Sequence, residues 1–388
     1  MVATVFVVFT GFAFVLPFLP LFVRTLGVPS DEAAALWSGV LIGVSPLLAG
    51  LLAPVWGRLA DRTGARRVAL RALASYVVLM LLSAAVTDVW QLLLLRVGVG
   101  LFGGIGPLGL AMATSLAPRE ETGRAVARVQ AAQILSAAVG PVAGGTLADL
   151  IGVRLTFVVT AGVCASAWLL VARAYVEAPR AVRPSAEPTL PLAGVVRLPQ
   201  VPGIMAALFL VNFVGRSFTP ILPLHLLDLG LPADRIASRT GLLISAYALA
   251  AGVSASAFGR ATRRFAPRLL LVASLGLGTA AVLPMALVTS FPPFLGLAVA
   301  LGLFSGGALT LAYTMGGLAV PGDHRATAFG FFSGAALFGG SVSPAVAGAL
   351  ARLDLRAVYW VDAALFVGLG LALATGRPAA VAAPGPAR

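Results

Sequence analysis

Two arginines stand in the middle of long apolar runs: Arg96 in LLLLRVGVGLFGG and Arg216 in VNFVGRSF. A guanidinium is always charged and presents five donors in a rigid fork, so the chemistry it offers is recognition of an anionic or zwitterionic partner. Asn212 lies one helical turn before Arg216 on the same face, which makes the pair a candidate substrate contact; the competing reading is an Arg that snorkels or bridges helices. Gln130, Gln133, Thr310, Tyr313 and Thr314 add uncharged polar groups that could touch a substrate or equally hydrogen-bond one helix to another. Bond-making chemistry has little support. His225 and His324 lack metal-ligand neighbours at suitable spacing, Cys164 is the only cysteine, and no Walker-type GKS or GKT occurs. No metal and no cofactor is expected. Residues 2 to 23 contain no acid, and no acid is expected at mid-membrane in any span.

The elements that must carry these side chains are membrane spans. Of 388 residues, 59% are hydrophobic and only 11% charged, with a mean hydropathy of +0.99. Apolar runs of about 20 residues recur, each long enough to cross a hydrocarbon core of roughly 30 Å as a helix. Twelve are expected, at 2–23, 37–56, 68–87, 90–115, 124–148, 153–174, 203–227, 238–259, 268–290, 292–318, 326–350 and 356–376. None alternates in polarity as a barrel strand would. The fold class is therefore an all-α integral membrane protein. An unpaired cation at the bilayer centre costs about 2.5–3.5 kcal/mol on insertion scales, so Arg96 and Arg216 must face protein or water.

All 27 basic residues are Arg, giving a net charge of +13 and a pI near 11.5. The excess does not mark nucleic acid, because the Arg residues sit in short loops with no basic, aromatic-laced groove. Nineteen fall in one set of alternate loops with their flanking turns, six in the other (Arg24, Arg154, Arg235, Arg239, Arg352 and Arg356), and two inside spans. The positive-inside rule then places both termini in the cytoplasm of a cell-membrane, multi-pass protein. The N-terminus opens directly in an apolar run without a basic leader, so span one reads as a retained helix.

The longest hydrophilic interruption, residues 177–200, is rich in Pro and suits a cytoplasmic connector. It divides the chain into bundles at 1–176 and 201–377, with a cytoplasmic tail at 378–388. The halves resemble each other at an offset near 203: VLPFLPLFVRTLGVPSD aligns with FTPILPLHLLDLGLPAD, pairing Pro17, Pro20, Gly27 and Asp31 with Pro220, Pro223, Gly230 and Asp234. Gly57, Arg58, Arg62 and Arg66 recur as Gly259, Arg260, Arg264 and Arg268, and Gly140-Pro141 is echoed by Ser343-Pro344. Two copies of one six-helix unit in the same orientation are a recurring plan of secondary transporters, with substrate bound between the halves.

GRLADRTGARR, residues 57–67, reads as a tight basic turn in which glycines permit the reversal and Arg residues hold it inside. That reading leaves Asp61 unexplained. Here the sequence resembles the major facilitator superfamily, whose loop between helices two and three carries Gly-x-Leu-Ala-Asp-Arg-x-Gly-Arg-Arg; Gly57, Leu59, Ala60, Asp61, Arg62, Gly64 and Arg66 match and Ala65 departs. The resemblance implies that Asp61 latches the two pseudo-symmetric six-helix bundles on the cytoplasmic side, near helix eleven, with Arg58, Arg62 and Arg66 organising it. In the second copy Arg263 stands where the acid would be.

The resemblance extends to Arg96 and Gly100, where the family associates the Arg with proton transfer, although Val99 replaces its Gln. It includes SAAVGPVAGG, 136–145, whose Gly140, Pro141, Gly144 and Gly145 look like the antiporter signature of the exporting branch; close helix packing explains the same residues. Asp149 follows at the outer surface and is expected to be solvated. The implied function is a secondary active transporter, not an enzyme, most similar to drug and multidrug efflux permeases: a monomer in the bilayer exporting small amphipathic compounds by rocking of its halves, with a proton as coupling ion. The missing acids and Arg216 favour the alternative, an uptake symporter or facilitator for a small organic anion or sugar. A membrane-embedded enzyme would need a clustered acid, His or metal site at one surface, which the spans do not offer.

Overall fold

The computed structural model describes residues 2–103, 112, 122–175, 200–320 and 325–375. The linker up to residue 199, the tail and His324 lie outside the described residues, as does the Asp61 side chain. The described chain is helical: α1 Val2–Phe14, α2 Leu19–Thr25, α3 Asp31–Thr63, α4 Ala65–Ala85, α5 Val89–Phe102, α6 Thr122–Ile151, α7 Val153–Ala174, α8 Val201–Ser217, α9 Leu222–Asp228, α10 Ile236–Ala261, α11 Pro267–Met285, α12 Phe291–Ala319, α13 Arg325–Leu350 and α14 Ala357–Thr375. Among the described residues nine helices are long and apolar enough to cross a membrane, two further spans are bent helix pairs, and Val89–Phe102 is a shorter apolar helix. The described helices are consistent with the twelve expected spans, the fourth being described as a helix over Val89–Phe102.

The first and seventh spans break in the same place. The α1/α2 pair bends by 46° and the α8/α9 pair by 45°. Pro20 and Pro223 explain why the chain restarts where it does: each sits in the first turn of the second helix, where a missing N–H costs no intrahelical bond. The aligned Gly27 and Gly230 follow, both in left-handed backbone with φ of 87° and 76°, a region closed to most side chains. Buried Phe18 and Phe22 fix the first bend by packing on Phe157 of α7, with ring centroids 5.5 and 5.4 Å apart.

The repeat is also visible in side-chain bonds. Ser136 on α6 donates to the Phe6 carbonyl of α1 at 2.9 Å, and Ser343 on α13 donates to the Phe213 carbonyl of α8 at 2.5 Å. Arg66 donates to the Ala172 carbonyl in the last turn of α7, and Arg268 from its Nε to the Leu373 carbonyl in the last turn of α14 at 2.8 Å. Each guanidinium satisfies a carbonyl that a helix end leaves without an intrahelical donor.

The turn expected over 57–67 is shorter than its composition suggests. The helix continues through Thr63, and the reversal is made at Gly64 alone, with φ of 101° and its N–H bonded to the Ala60 carbonyl at 2.9 Å. Gly57 therefore makes no turn. Its glycine is a residue of α3, a helix of 33 residues, which at 1.5 Å per residue spans about 50 Å and projects beyond a core of roughly 30 Å.

Because the spans alternate in direction, Val2 and Thr375 share one face, the terminal face; the starts of α3 and α10 and the ends of α6 and α13 share the far face. Within the first half α6 and α7 pack on α1, α4 on α7 and α5 on α3; within the second, α13 and α12 pack on α8, and α11 on α12 and α14. Between the halves, α3 packs along α13 and α6 along α10.

Candidate functional site

The seams between the halves are closed by small residues at the far face. A Cβ on Gly39 would collide with the Pro344 carbonyl, one on Gly348 with the Ala35 carbonyl, one on Gly145 with the Ala237 carbonyl and one on Gly241 with the Pro141 carbonyl. Backbones in such contact form the close approach that glycine permits between membrane helices. Toward the terminal face the picture reverses: among the described residues nothing lies within 4 Å of where a Cβ would stand on Gly57, Gly330 or Gly334. Among the described residues, backbone contact between the halves at these glycines lies toward the far face, and the open space beside the others toward the terminal face.

Asp149 takes part in the seal. Its carboxylate accepts from the N–H of Ala237 at 3.2 Å and of Ser238 at 2.8 Å, in the first turn of α10. A negative charge there satisfies two orphan donors and faces the positive end of the helix dipole. The expected solvated acid is instead a bond between halves. Next to it, the Val142 N–H donates to the Ser245 hydroxyl at 3.1 Å.

The helix-five motif lies between two partners. Gly140 faces Ala13 and Thr10 of α1, Gly144 lies against Phe14, and Gly145 and Pro141 face α10 of the other half. The motif therefore joins α6 both to its own bundle and to the opposite one.

Arg216 occupies the last turn of α8, immediately before the bend of the broken span, and is exposed. Its stem and that of Asn212 lie against Gly340 of α13, where a Cβ would stand 3.5 Å from Arg216 and 3.8 Å from Asn212. Asn212 is half-buried and donates to the Leu208 carbonyl of its own helix. An exposed guanidinium at this depth must face water or ligand, since lipid cannot solvate it.

Arg96 is in a different environment, only 8% exposed on α5, with Nε and one terminal nitrogen lacking a hydrogen-bond partner. Tyr76 of α4 is an electrostatic neighbour, and Ser45 of α3 holds the Arg96 carbonyl at 2.7 Å. The structure keeps the two arginines apart, one in the interior of the first half and one at an open surface of the second.

The uncharged candidates are dispersed. Gln130 is exposed and Gln133 half-buried on α6. Thr310 and Thr314 donate to the Gly306 and Thr310 carbonyls within α12, and Tyr313 stacks on Phe329 with ring centroids 6.1 Å apart. In the basic motif Arg58 bonds back to the Pro54 carbonyl, Arg62 is exposed and Arg66 holds α7. The part assigned to Asp61 falls on a side chain outside the described residues.

One acid inside a span, Asp362, was not among the residues singled out from the sequence. It sits on the second turn of α14, 1% exposed, and its Oδ2 shares a hydrogen bond with the Ser217 hydroxyl at the end of α8. It lies near the start of the twelfth apolar run, and packing of α14 against α8 buries it.

A family model described as Major Facilitator Superfamily matches residues 1–238 and 236–388. The chain is 32% identical over 285 residues to the multidrug resistance protein MdtG of Proteus mirabilis (strain HI4320), covering 72% of this chain and 70% of that protein. It is 33% identical over 282 residues to MdtG of Citrobacter koseri, covering 72% and 69%. In fold it is similar to a bacterial homologue of the human lysosomal transporter Spinster, solved in an inward-facing and occupied conformation, with a TM-score of 0.78 at 17% identity over 96% of this chain and 94% of that one. It is also similar to the nucleoside transporter NupG, with a TM-score of 0.74 at 13% identity over 96% and 98%.

Proposed function

The chain belongs to the major facilitator superfamily, and from that premise we propose that it exports small amphipathic compounds from the cell by alternating access, driven by an inward flow of protons. The observation that carries this reading is the asymmetry of the seams among the described residues: close backbone contact at the far face, open space beside Gly57, Gly330 and Gly334 toward the terminal face, and an exposed Arg216. Multidrug resistance is the activity named for relatives above 30% identity over most of the chain, and it supports amphipathic compounds as the substrate class.

In this reading the terminal face is cytoplasmic, as the distribution of Arg favours. The bundles at 1–176 and 201–377, joined by the linker at 177–200, rock against each other in a monomer of the cell membrane, with neither enzymatic activity nor a nucleic-acid partner. Substrate enters from the cytoplasm and meets Asn212 and Arg216, with Gln130, Gln133, Thr310, Tyr313 and Thr314 on neighbouring helices. Release requires the far-face seams to open and the terminal halves to close, where Asp61, Arg58, Arg62 and Arg66 form the latch. Arg96, with unpartnered donors in a buried site, stays charged and takes part in proton coupling on the first half through its fixed charge and hydrogen bonds.

The exposed charge of Arg216 favours one second reading, uptake of a small organic anion. The two separate in cells: deletion that raises sensitivity to ethidium without changing anion uptake supports export, and the reverse result supports uptake.

A further inference from the structure

The buried carboxyl of Asp362 has no part in the roles assigned above, and the polar side chains of Ser217 and Tyr359 lie close to it. Its Oδ1 has no hydrogen-bond partner, nor does the hydroxyl of Tyr359, one turn before it on the same face of α14. The Tyr359 ring stands 5.5 Å from that of His225 on α9, which is buried with both nitrogens unpartnered. Tyr247 of α10 interacts electrostatically with both Asp362 and Arg216, and Arg356 and Asp354 act on His225 from the far-face turn. Asp228, at the end of α9, interacts with Asp31, Arg356 and Asp354 at the far face. Of the other ionisable side chains on the packed helices, Arg260 lies in the last turn of α10 toward the terminal face, Tyr313 of α12 stacks on Phe329, Arg268 of α11 caps α14, and Arg239 of α10 covers Phe291.

Ser217 supplies the second observation. Its hydroxyl oxygen lies within hydrogen-bond distance of two acceptors, the Val214 carbonyl at 2.9 Å and Asp362 Oδ2. One hydroxyl proton cannot serve both. With a protonated carboxyl, Oδ2–H donates to Ser217 and Ser217 donates to Val214; with an ionised one, the Ser217 proton turns to Oδ2 and the Val214 carbonyl loses its side-chain donor. The same heavy-atom positions therefore accept either protonation state. Val214 belongs to the last turn of α8, where the Phe218 N–H bonds to the Arg216 carbonyl instead, so the exchange acts on the turn that leads into the bend and carries Arg216.

We propose that Asp362 is a proton-binding carboxyl of the transport cycle, with Ser217 as its switching partner and Tyr359 and His225 lining the approach from the far face. Buried ionisable residues in membrane helices mark such relays when partners of this kind surround them. One proton binds or leaves per event, forming or breaking the Oδ2–H bond with no other change in covalent structure. The assignment rests on the reading of proton-coupled export.

The test uses the full chain in lipid vesicles and two readouts. Infrared difference spectra over a pH titration should contain a carboxylic-acid C=O band that titrates in the wild type and is lost in Asp362→Asn, with Asp362→Glu restoring a titrating band. With ethidium as the transported probe, Asp362→Asn should lose accumulation driven by a pH gradient and retain ethidium–ethidium exchange. Ser217→Ala, which leaves the carboxyl in place, should shift the midpoint of the band. Identical spectra for wild type and Asp362→Asn, or gradient-driven accumulation unchanged by that substitution, overturn the proposal. Should the wild type move no ethidium at all, the export reading fails, and the infrared titration still decides whether Asp362 binds the proton.

Discussion

The carboxylate of Asp149, at the end of α6, caps the first turn of α10 by accepting from the backbone N–H groups of Ala237 and Ser238 at 3.2 and 2.8 Å. A bond from one half of the molecule to a helix N-terminus of the other can exist only while the far face is closed. It therefore biases the protein toward the state described here.

Asp149→Ala should weaken that bias. Hydrogen bonds to a charged group contribute about 1.5–3 kcal/mol, so the closed-to-open ratio at the far face should fall by roughly tenfold or more. Ser245→Cys, which lies on the same seam, reports the change: its labelling by a membrane-impermeant maleimide from outside should accelerate in the Asp149→Ala background. Cys164 is buried and stays silent. Equal labelling rates in both backgrounds would remove Asp149 from the gate.

Glycines at the seams should be intolerant where backbones touch and tolerant where they part. Gly39→Val places side-chain atoms on the Pro344 carbonyl and should abolish transport while the protein still reaches the membrane. Gly334→Ala meets nothing within 4 Å and should transport normally. Transport assays with membrane-level controls distinguish the two, and similar activities would contradict the seam geometry.

The repeat places Arg66 and Arg268 in the same work, each holding the last turn of the sixth helix of its half. Arg66→Ala and Arg268→Ala should each lower the thermal midpoint in detergent, by the loss of charge-assisted bonds worth about 1.5–3 kcal/mol. A drop from one substitution and none from the other would argue against the symmetry.

Much of this architecture is legible in the chain. Pro17, Pro20 and Gly27 recur as Pro220, Pro223 and Gly230 because each has a local backbone job: proline suits a helix restart and glycine a left-handed turn. Local demands of this kind leave marks in sequence. Asp149 and Asp362 leave none, since each is defined by a partner far along the chain, Ser238 for one and Ser217 for the other. An acid near the end of an apolar run reads as interfacial until the helix packed against it is known. The extent of the 57–67 turn is misjudged for the opposite reason: Gly57 and Gly64 look alike in sequence, and only Gly64 has the positive φ.

Asp61→Asn should impair transport and leave insertion intact, because Arg58, Arg62, Arg66 and Arg67 still set the topology. Protein levels in the membrane and export of ethidium, measured together, check both halves of that expectation. Normal export would reduce the segment to a basic turn.

The most direct measurement is ethidium movement in vesicles containing only the purified chain, with a pH gradient imposed across the membrane. We expect ethidium to move opposite to the proton flow and to stop when the gradient is collapsed. Ethidium movement in the wild type that ignores the gradient, or none at all, would contradict proton-driven export.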